Sequence, residues 1–368
     1  MGTRWIPSDL YFVDHLVGDR HFGGMHTQVR PVAFDTDRAE LIALIRRNLT
    51  PQSDERRFEW LYCKGPHGPA SAWVACDGAN GAAVGLAAAF PRKMYFDGAE
   101  KLACVLGDFC FDEKYRSLGP ALELQRACLK AAMSPPFDFY YDFPSRSMMA
   151  VYKRIGVNQA GTIVRWAKPV RIDRKLDSVV RSRTIARGIG ALANVGLAWT
   201  GWKGARGACE LVTQGGLCGE EFSALDKRVR EHPGLRTART AGYLNWRYLA
   251  HPTIRYEILT ARREDVLIGY AVFNQDGEHA SIADICSVDE PDVVARLLSG
   301  VVARMRERGV ATVNMIAGET HPWADVFRKV GFRVRENSPL IAHAQEDSLA
   351  GRALSEWNWH LMQGERDS

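Results

Sequence analysis

The feature that most restricts the fold of this chain is that it repeats itself. "VYKRIGV" at 151–157 recurs as "VFRKVGF" at 326–332. In both copies the apolar residues fall at i, i+3, i+4 and i+7 (Met148, Val151, Tyr152, Ile155; Trp323, Val326, Phe327, Val330), the spacing of one helix face. Each run stops at a glycine, Gly156 or Gly331, the residue a left-handed helix cap favours. Upstream the match continues in the same order: "FEWLY" (58–62) with "LNWRY" (244–248), "VGLAAAF" with "IGYAVF", and "GDFCF" with "ADICS". The separation falls from 186 residues at Trp60 and Trp246 to 175 at Gly156 and Gly331, as a shorter hairpin in the second copy would produce. A chain of 368 residues built this way holds two similar domains, each large enough for its own core.

Each copy reads in the same coarse order. In the first, helices near 36–48 and 53–62 precede strands "SAWVACD", "AAVGLAAAFPRKMYF" and "KLACVLGDFCF", with Asp97-Gly98 as the turn between the last two. A loop and helix follow, then strand "FDFYYDF", the Tyr152 helix and a closing strand, "GTIVRWAKP". In the second, strands "RYEILTA", "VLIGYAVF" and "ASIADICSV" lead to a helix near 290–308, then "ATVNMIA", a helix and "FRVREN". An antiparallel meander followed by strand and helix alternation predicts an α+β fold: two tandem domains, each a mixed, mostly antiparallel sheet flanked by helices. The boundaries expected are an extension over 1–29, a first domain over 30–171, a linker over 172–219, a second domain over 220–345 and a tail over 346–368.

The loop "RSLGPA", Arg116, Ser117, Leu118, Gly119, Pro120 and Ala121, lies between a strand and a helix expected to open at Pro120. A helix mouth exposes backbone N–H groups and the positive end of its dipole, and no acid stands among these residues, so the loop suits an anion such as phosphate. Gly119 would let a ligand approach without meeting a Cβ, whereas Pro120 offers no N–H and suits the first helical position. A plain helix start is the alternative reading. A net charge of +5 is mild, and no dense basic tract interleaved with aromatics calls for nucleic acid. The eight cysteines are scattered without C-x-x-C pairs or a histidine cluster, which predicts core thiols in a reducing compartment and no metal. The N-terminus lacks a secretory apolar run, so the expected location is cytoplasmic. "IARGIGALANVGLAW" (185–199) follows a basic stretch that begins at Arg171. That pairing suits either peripheral contact with an anionic membrane through 171–199 or an interdomain helix with a wet basic face.

With these elements in place, the chain resembles the GCN5-related N-acetyltransferases, in particular members with two such domains. "RSLGPA" fits the R/Q-x-x-G-x-G/A pattern of that family, and "YKRIGV" fits its later tyrosine, helix and glycine pattern. The resemblance covers most of 30–168 and, more weakly, 220–345. It implies an acyl-CoA-dependent N-acyltransferase that takes acetyl-CoA or another acyl-CoA as co-substrate and a small-molecule amine as acceptor. Phe109, Cys110 and Phe111 and the loop from Arg116 to Ala121 are then the cofactor-binding residues, and the parted end of the sheet receives the pantetheine arm. Tyr152 matches the tyrosine that acts as general acid toward the departing thiolate; on spacing alone it is equally a core residue. Asp108 and Asp142, near strand ends, are the candidate bases, or acids that cap nearby backbone instead. His67, in a glycine and proline loop, either covers the acceptor or is simply solvated.

The second copy lacks these features. Asp289, Glu290 and Asp292 crowd the corresponding loop and Phe327 replaces Tyr152, which predicts a single working site on the first copy. The resemblance further suggests an amino sugar or cell-envelope or exopolysaccharide precursor as acceptor. Two rival readings are an aminoacyl-tRNA-dependent transferase of similar fold and a non-catalytic scaffold or binding protein.

Overall fold

The computed structural model describes residues 26–171, 209–288, 290–344 and 359–366. The extension up to residue 25, the 185–199 stretch and its basic flank from 172, and Asp289 lie outside the described residues. The chain divides into two compact units. One holds described residues 26–162, 338–344 and 365–366, and the other 163–171, 209–337 apart from residue 289, and 359–364.

In the first unit β1 (Thr27–Pro31), β2 (Ser71–Asp77), β3 (Ala83–Phe96) and β4 (Ala99–Phe111) form an antiparallel meander, and β5 (Phe139–Asp142) joins β4 in parallel. The core lies between this sheet and α3 (Leu118–Ala132) and α4 (Arg146–Ile155), with Leu124, Cys128, Val151 and Tyr152 packed on Cys104, Leu106 and Phe111. The predicted cap of α4 is present: Gly156 adopts φ 89°, which an L side chain resists. On the chain before β2, α1 (Phe34–Asn48) and the short α2 (Glu55–Phe58) lead into a π-turn, Glu59–Cys63. There Phe58 and Tyr62 stack at 4.5 Å, with Phe34 edge-on to both.

The second unit repeats this plan. It contains β6 (Gly161–Pro169, from Ile163 on), β7 (Glu210–Thr213), α5 (Glu220–Val229), β8 (Leu235–Thr237) and α6 (Ala241–Leu244). These are followed by β9 (Glu257–Arg263), β10 (Val266–Asp276), β11 (His279–Ser287), α7 (Pro291–Glu307), β12 (Thr312–Gly318), α8 (Ala324–Val330) and the first part of β13 (Arg333–Ala344). "NWRYL" after α6 forms a π-turn, Asn245–Leu249, in register with the one in the first copy. The repeat therefore extends to an irregular turn that helical spacing alone does not foresee.

One strand per copy departs from the expected plan. "GTIVRWAKP", read as the closing strand of the first copy, pairs antiparallel with β12, from Gly318↔Ile163 to Thr312↔Pro169. There Trp166 packs edge-on against Phe327 at 5.5 Å. The end of β13 pairs with β5 instead, from Ile341↔Asp142 to Ala344↔Phe139, and Ile341 enters the core beside Tyr152. Each closing strand thus completes the sheet of the other copy. A unit bounded by packing therefore differs by one strand from a domain bounded by the repeat at 171 and 220. The stretch assigned to a tail also contains packed structure: Trp359, His360, Leu361 and Met362 are all buried.

Gly85 faces Phe111 across β3 and β4, and a Cβ on it would sit 2.4 Å from the ring. Gly269, its counterpart, pairs with Ser287, and a Cβ there would lie 3.0 Å from the Cys286 carbonyl. Around Gly119 nothing lies within 4 Å of a Cβ. Gly85→Ala should therefore destabilise the chain by about 1–3 kcal/mol, while Gly119→Ala should be neutral or stabilise by up to ~1 kcal/mol. Urea unfolding of the two variants side by side measures the difference.

Candidate active site

The site begins where two parallel strands part. β4 and β5 are paired only over Ala103–Val105 with Phe139–Tyr141, and β4 then runs on to Phe111 without that partner. On its other edge the register with β3 slips: Leu86 faces Cys110 but Ala88 faces Gly107, so Asp108 and Phe109 together oppose Ala87. This is a β-bulge, and Asp108 takes φ 47°, a left-handed backbone uncommon for aspartate. The bulge changes which residues face the core. Before it Cys104 and Leu106 point toward α3, and after it Phe109 and Phe111 do. Without the extra residue Asp108 and Cys110 would point into that apolar core.

A buried ion pair holds the bulge. Arg57 donates from both terminal nitrogens to Asp108, at 3.1 and 3.0 Å, and the Tyr62 hydroxyl donates to the same carboxylate at 2.7 Å. The arginine comes from α2, whose N-cap Asp54 accepts the Arg57 N–H, and the tyrosine from the π-turn. Both partners are more than nine-tenths buried, so the pair is screened little and each charge depends on the other. The second copy buries the same arrangement: Asp284, the counterpart of Asp108, receives Arg239 Nε at 3.0 Å and its terminal nitrogen at 2.9 Å. Register slips there too, with Val272 opposite Asp284 and Phe273 opposite Ile282.

Past Phe111 the chain makes a short 3-10 turn, Glu113–Tyr115, and enters α3. The helix starts at Leu118 and not at Pro120, which places the proline third in the helix. The extended N-cap, Ser117, makes no side-chain cap bond. Ala121 N–H donates to the Ser117 carbonyl, and Pro120 has no N–H. The remaining mouth amides, Leu118 and Gly119, have no acceptor among the described residues. The first turn carries no acid. The Arg116 guanidinium is turned away to donate to the Phe111 carbonyl and to Asn48, both at 3.0 Å. Arg47 and Asn48 in turn grip Asp112 at 2.7 Å. These bonds tie the loop to the end of α1, so the arginine of the motif braces the mouth. Phe109 is half-buried, whereas Cys110 and Phe111 are buried, and burial pushes the Cys110 thiol well above its usual range.

Tyr152 is completely buried in α4. Its hydroxyl donates to Asp142 at 2.5 Å and accepts from Gln125 at 3.0 Å. Burial first, and the Asp142 carboxylate second, push the phenol well above its ordinary value, so it is held protonated. Asp142 stands one residue past the last β4–β5 pair and also accepts the Phe143 N–H at 2.7 Å. The structure thus joins Tyr152 to Asp142, while Asp108 belongs to a separate cluster with Arg57 and Tyr62. Sequence reading did not find Arg57, Tyr62 or Gln125. The repeat was the available signal for Tyr62, since Tyr248 stands in the same place. His67 does not act as a solvated loop residue: its Nδ1 accepts the Lys93 N–H at 3.0 Å, and burial, with Arg92 and Lys93 nearby, lowers its pKa to about 3.

In the second copy the helix mouth is acidic. Glu290 stands at the N-cap position of α7 without a side-chain cap bond and is bound by Arg263 at 2.7 Å, and Asp292 lies in the first turn.

Together these elements define a duplicated α+β fold in which a sheet opens between parallel strands ahead of a helix mouth. Among solved structures the chain is similar to a GCN5-related N-acetyltransferase from Anabaena variabilis ATCC 29413 (TM-score 0.61, 13% identity, 87% of this chain and 73% of that one). It is similar to a probable N-acyltransferase from Enterococcus faecalis V583 (0.60, 13%, 87% and 73%). It is also similar to Saccharomyces cerevisiae N-myristoyltransferase with bound myristoyl-CoA (0.53, 10%, 89% and 81%). No family model and no curated protein matches the sequence. The chain has the GCN5-related N-acetyltransferase fold, in a two-domain form.

Removing Arg57 would leave Asp108 buried and unpaired, so Arg57→Ala should cost about 3–5 kcal/mol in urea unfolding, with Arg57→Lys intermediate. Stability should also fall with acid earlier than carboxylates alone would cause. The pKa of His67 is depressed from 6.5 to about 3, and so is that of His321, where burial is the main cause and Arg239 and Arg236 add to it. An unfolded chain takes up these protons near pH 6.5 and the folded chain does not. Their contribution is complete above that pH and is lost as pH falls toward about 3, at up to ~1.4 kcal/mol per pH unit for each histidine. Unfolding free energies at pH 7.5, 6 and 5 test this, and His67→Gln should flatten the slope.

Proposed function

We propose that the chain is an acyl-CoA-dependent N-acyltransferase whose working site lies on the first copy. The observation that carries the reading is the mouth of α3: two backbone donors without acceptors among the described residues, an exposed glycine with open space beside it, and no acid in the first turn. It stands at the end of a strand that is bulged and parted from its neighbour. Amide donors and a helix dipole favour a diphosphate there, and the parted strands leave backbone able to pair with an extended pantetheine arm.

The thioester supplies an acyl carbonyl already activated toward amines. The amine nitrogen forms the new C–N bond as the C–S bond breaks, and the amine must lose a proton while the thiolate gains one. Of the two candidate bases, Asp142 stands beside the opening, and Asp108 is assigned to holding the bulge. Tyr152 retains the acid role that the resemblance implies, with a phenol kept protonated by burial. The Tyr152–Asp142 hydrogen bond links the two groups that would exchange these protons.

The second copy supports the assignment by contrast. By strand register Asp142 corresponds to Met315, and along the repeat Tyr152 corresponds to Phe327, so both members of the pair are replaced together. The proposed acceptor is an amino sugar or another cell-envelope or exopolysaccharide precursor, on the resemblance. A cytoplasmic site of action, with the 171–199 stretch on the membrane surface, belongs to the same proposal.

Calorimetry with acetyl-CoA, longer acyl-CoAs up to myristoyl-CoA, and tRNA should give binding to an acyl-CoA that Gly119→Asp abolishes. Salt-sensitive tRNA binding would favour the aminoacyl-tRNA-dependent reading, and silence toward all ligands a scaffold. Tyr152→Phe should lower turnover by on the order of 10²-fold with little change in acyl-CoA affinity; unchanged turnover would remove its role.

A further inference from the structure

The second copy also opens between parallel strands. β11 and β12 are paired over His279–Ile282 with Thr312–Met315, and β11 continues to Ser287 and β12 to Gly318. In the first copy the corresponding opening lies between β4 and β5. In the second it is filled by residues 359–364 of the chain itself. Met362 forms an antiparallel bridge with Ala317, and Gly318 N–H donates to the Leu361 carbonyl at 3.1 Å. His360 N–H donates to the Leu235 carbonyl at 3.0 Å. The Gly364 carbonyl accepts Arg247 Nε at 3.0 Å and the Tyr243 hydroxyl at 3.3 Å.

Across the opening, a Cβ on Gly364 would lie 3.5 Å from the carbonyl of Ala283, the extra residue of the β11 bulge, and 1.9 Å from the Tyr248 hydroxyl. Tyr248 is the repeat counterpart of Tyr62. The segment therefore reaches from the end of β12 to the bulge of β11 and closes over it at a position where only glycine fits. Its side chains are as buried as a core: Trp359 and His360 are 4% exposed, and Leu361 and Met362 are 1% exposed.

We propose that the second opening is a peptide site and that residues 359–364 are its resident ligand. The groove recognises extended backbone over 359–362 by bridges to Leu235 and Ala317, takes Leu361 and Met362 as apolar anchors, and ends in a 3-10 turn, Gln363–Glu365, where Arg247 and Tyr243 hold the glycine carbonyl. Such pairing is the strand-addition mode of peptide recognition. A consequence is that the chain binds one acyl-CoA and not two; this consequence alone rests on the function proposed above.

Hydrogen exchange on the full-length chain tests the occupancy. The amides of His360 and Gly318 should be protected, and saturating acyl-CoA should leave that protection in place while titrating to one per chain. Rapid exchange at both amides, their deprotection by acyl-CoA, or two acyl-CoA per chain would overturn the proposal. Protection with no acyl-CoA bound supports the filled groove and overturns only the transferase reading. Full-length Gly364→Ala should expose the two amides. It should then bind a synthetic peptide spanning 357–366 at least tenfold more tightly than the same peptide with alanine at 364. Equal binding of the two peptides, or none, overturns the proposal. Where Gly364→Ala does not fold, the exchange and titration results on the unaltered chain decide it alone.

Discussion

A buried aspartate beside a strand bulge, neutralised by an arginine from the chain before β2 or before β9, is the interaction on which each copy depends. Asp108 with Arg57 and Asp284 with Arg239 occupy equivalent strand positions, although the arginines come from different places in the local sequence. Burying a carboxylate is costly unless a cation and further donors meet it, so the fold would not keep the pair twice without structural need. The need is geometric. The bulge turns the end of the strand so that Phe111 lies over Gly85 and the chain leaves toward the mouth of α3. Through the bulge, this charge pair sets the direction in which the chain enters the mouth of α3.

The two copies use this frame differently, and the difference follows from what fills the opening. In the first, the helix mouth presents amides and no acid, and the parted strands border the Tyr152–Asp142 pair. In the second, Glu290 and Asp292 stand at the mouth and the chain's own backbone pairs along β12. An opening between parallel strands exposes backbone groups that must be satisfied by something. Polypeptide can satisfy them permanently, and a ligand can do so on binding.

Much of this was legible because it is local. The helix face at Tyr152, the glycine caps, the Asp97-Gly98 turn and the order of the strands read from 71 to 169 and from 257 to 318 are set by residues within a few positions of one another and appear as read, whereas the strands at 27–31, 210–213 and 235–237 were not foreseen. The exchange of β6 and β13 was not legible. "GTIVRWAKP" and the strand after Gly331 are similar enough as strands that their own pattern suits either sheet, and the choice is made by packing such as Trp166 on Phe327. The start of α3 was misplaced by two residues because Pro120 suits the first turn generally and does not mark its first position. Segment 359–364 carries no strong strand or helix period. Its place is set by long-range partners, Leu235, Arg247 and Ala317, that no local window contains.

The pairing of Tyr152 with Asp142 bears on chemistry beyond its geometry. The buried Tyr152 hydroxyl needs polar partners, and Gln125 and the half-buried Asp142 supply them. The second copy has Phe327 and Met315 at the positions of Tyr152 and Asp142, which removes donor and acceptor together and leaves an apolar contact between Phe327 and Trp166. A fold that needed the hydroxyl only to complete its core could thus do without it, as the second copy does. Its retention in the first copy, beside the opening and joined to a carboxylate at 2.5 Å, supports the proton-transfer role proposed for the pair.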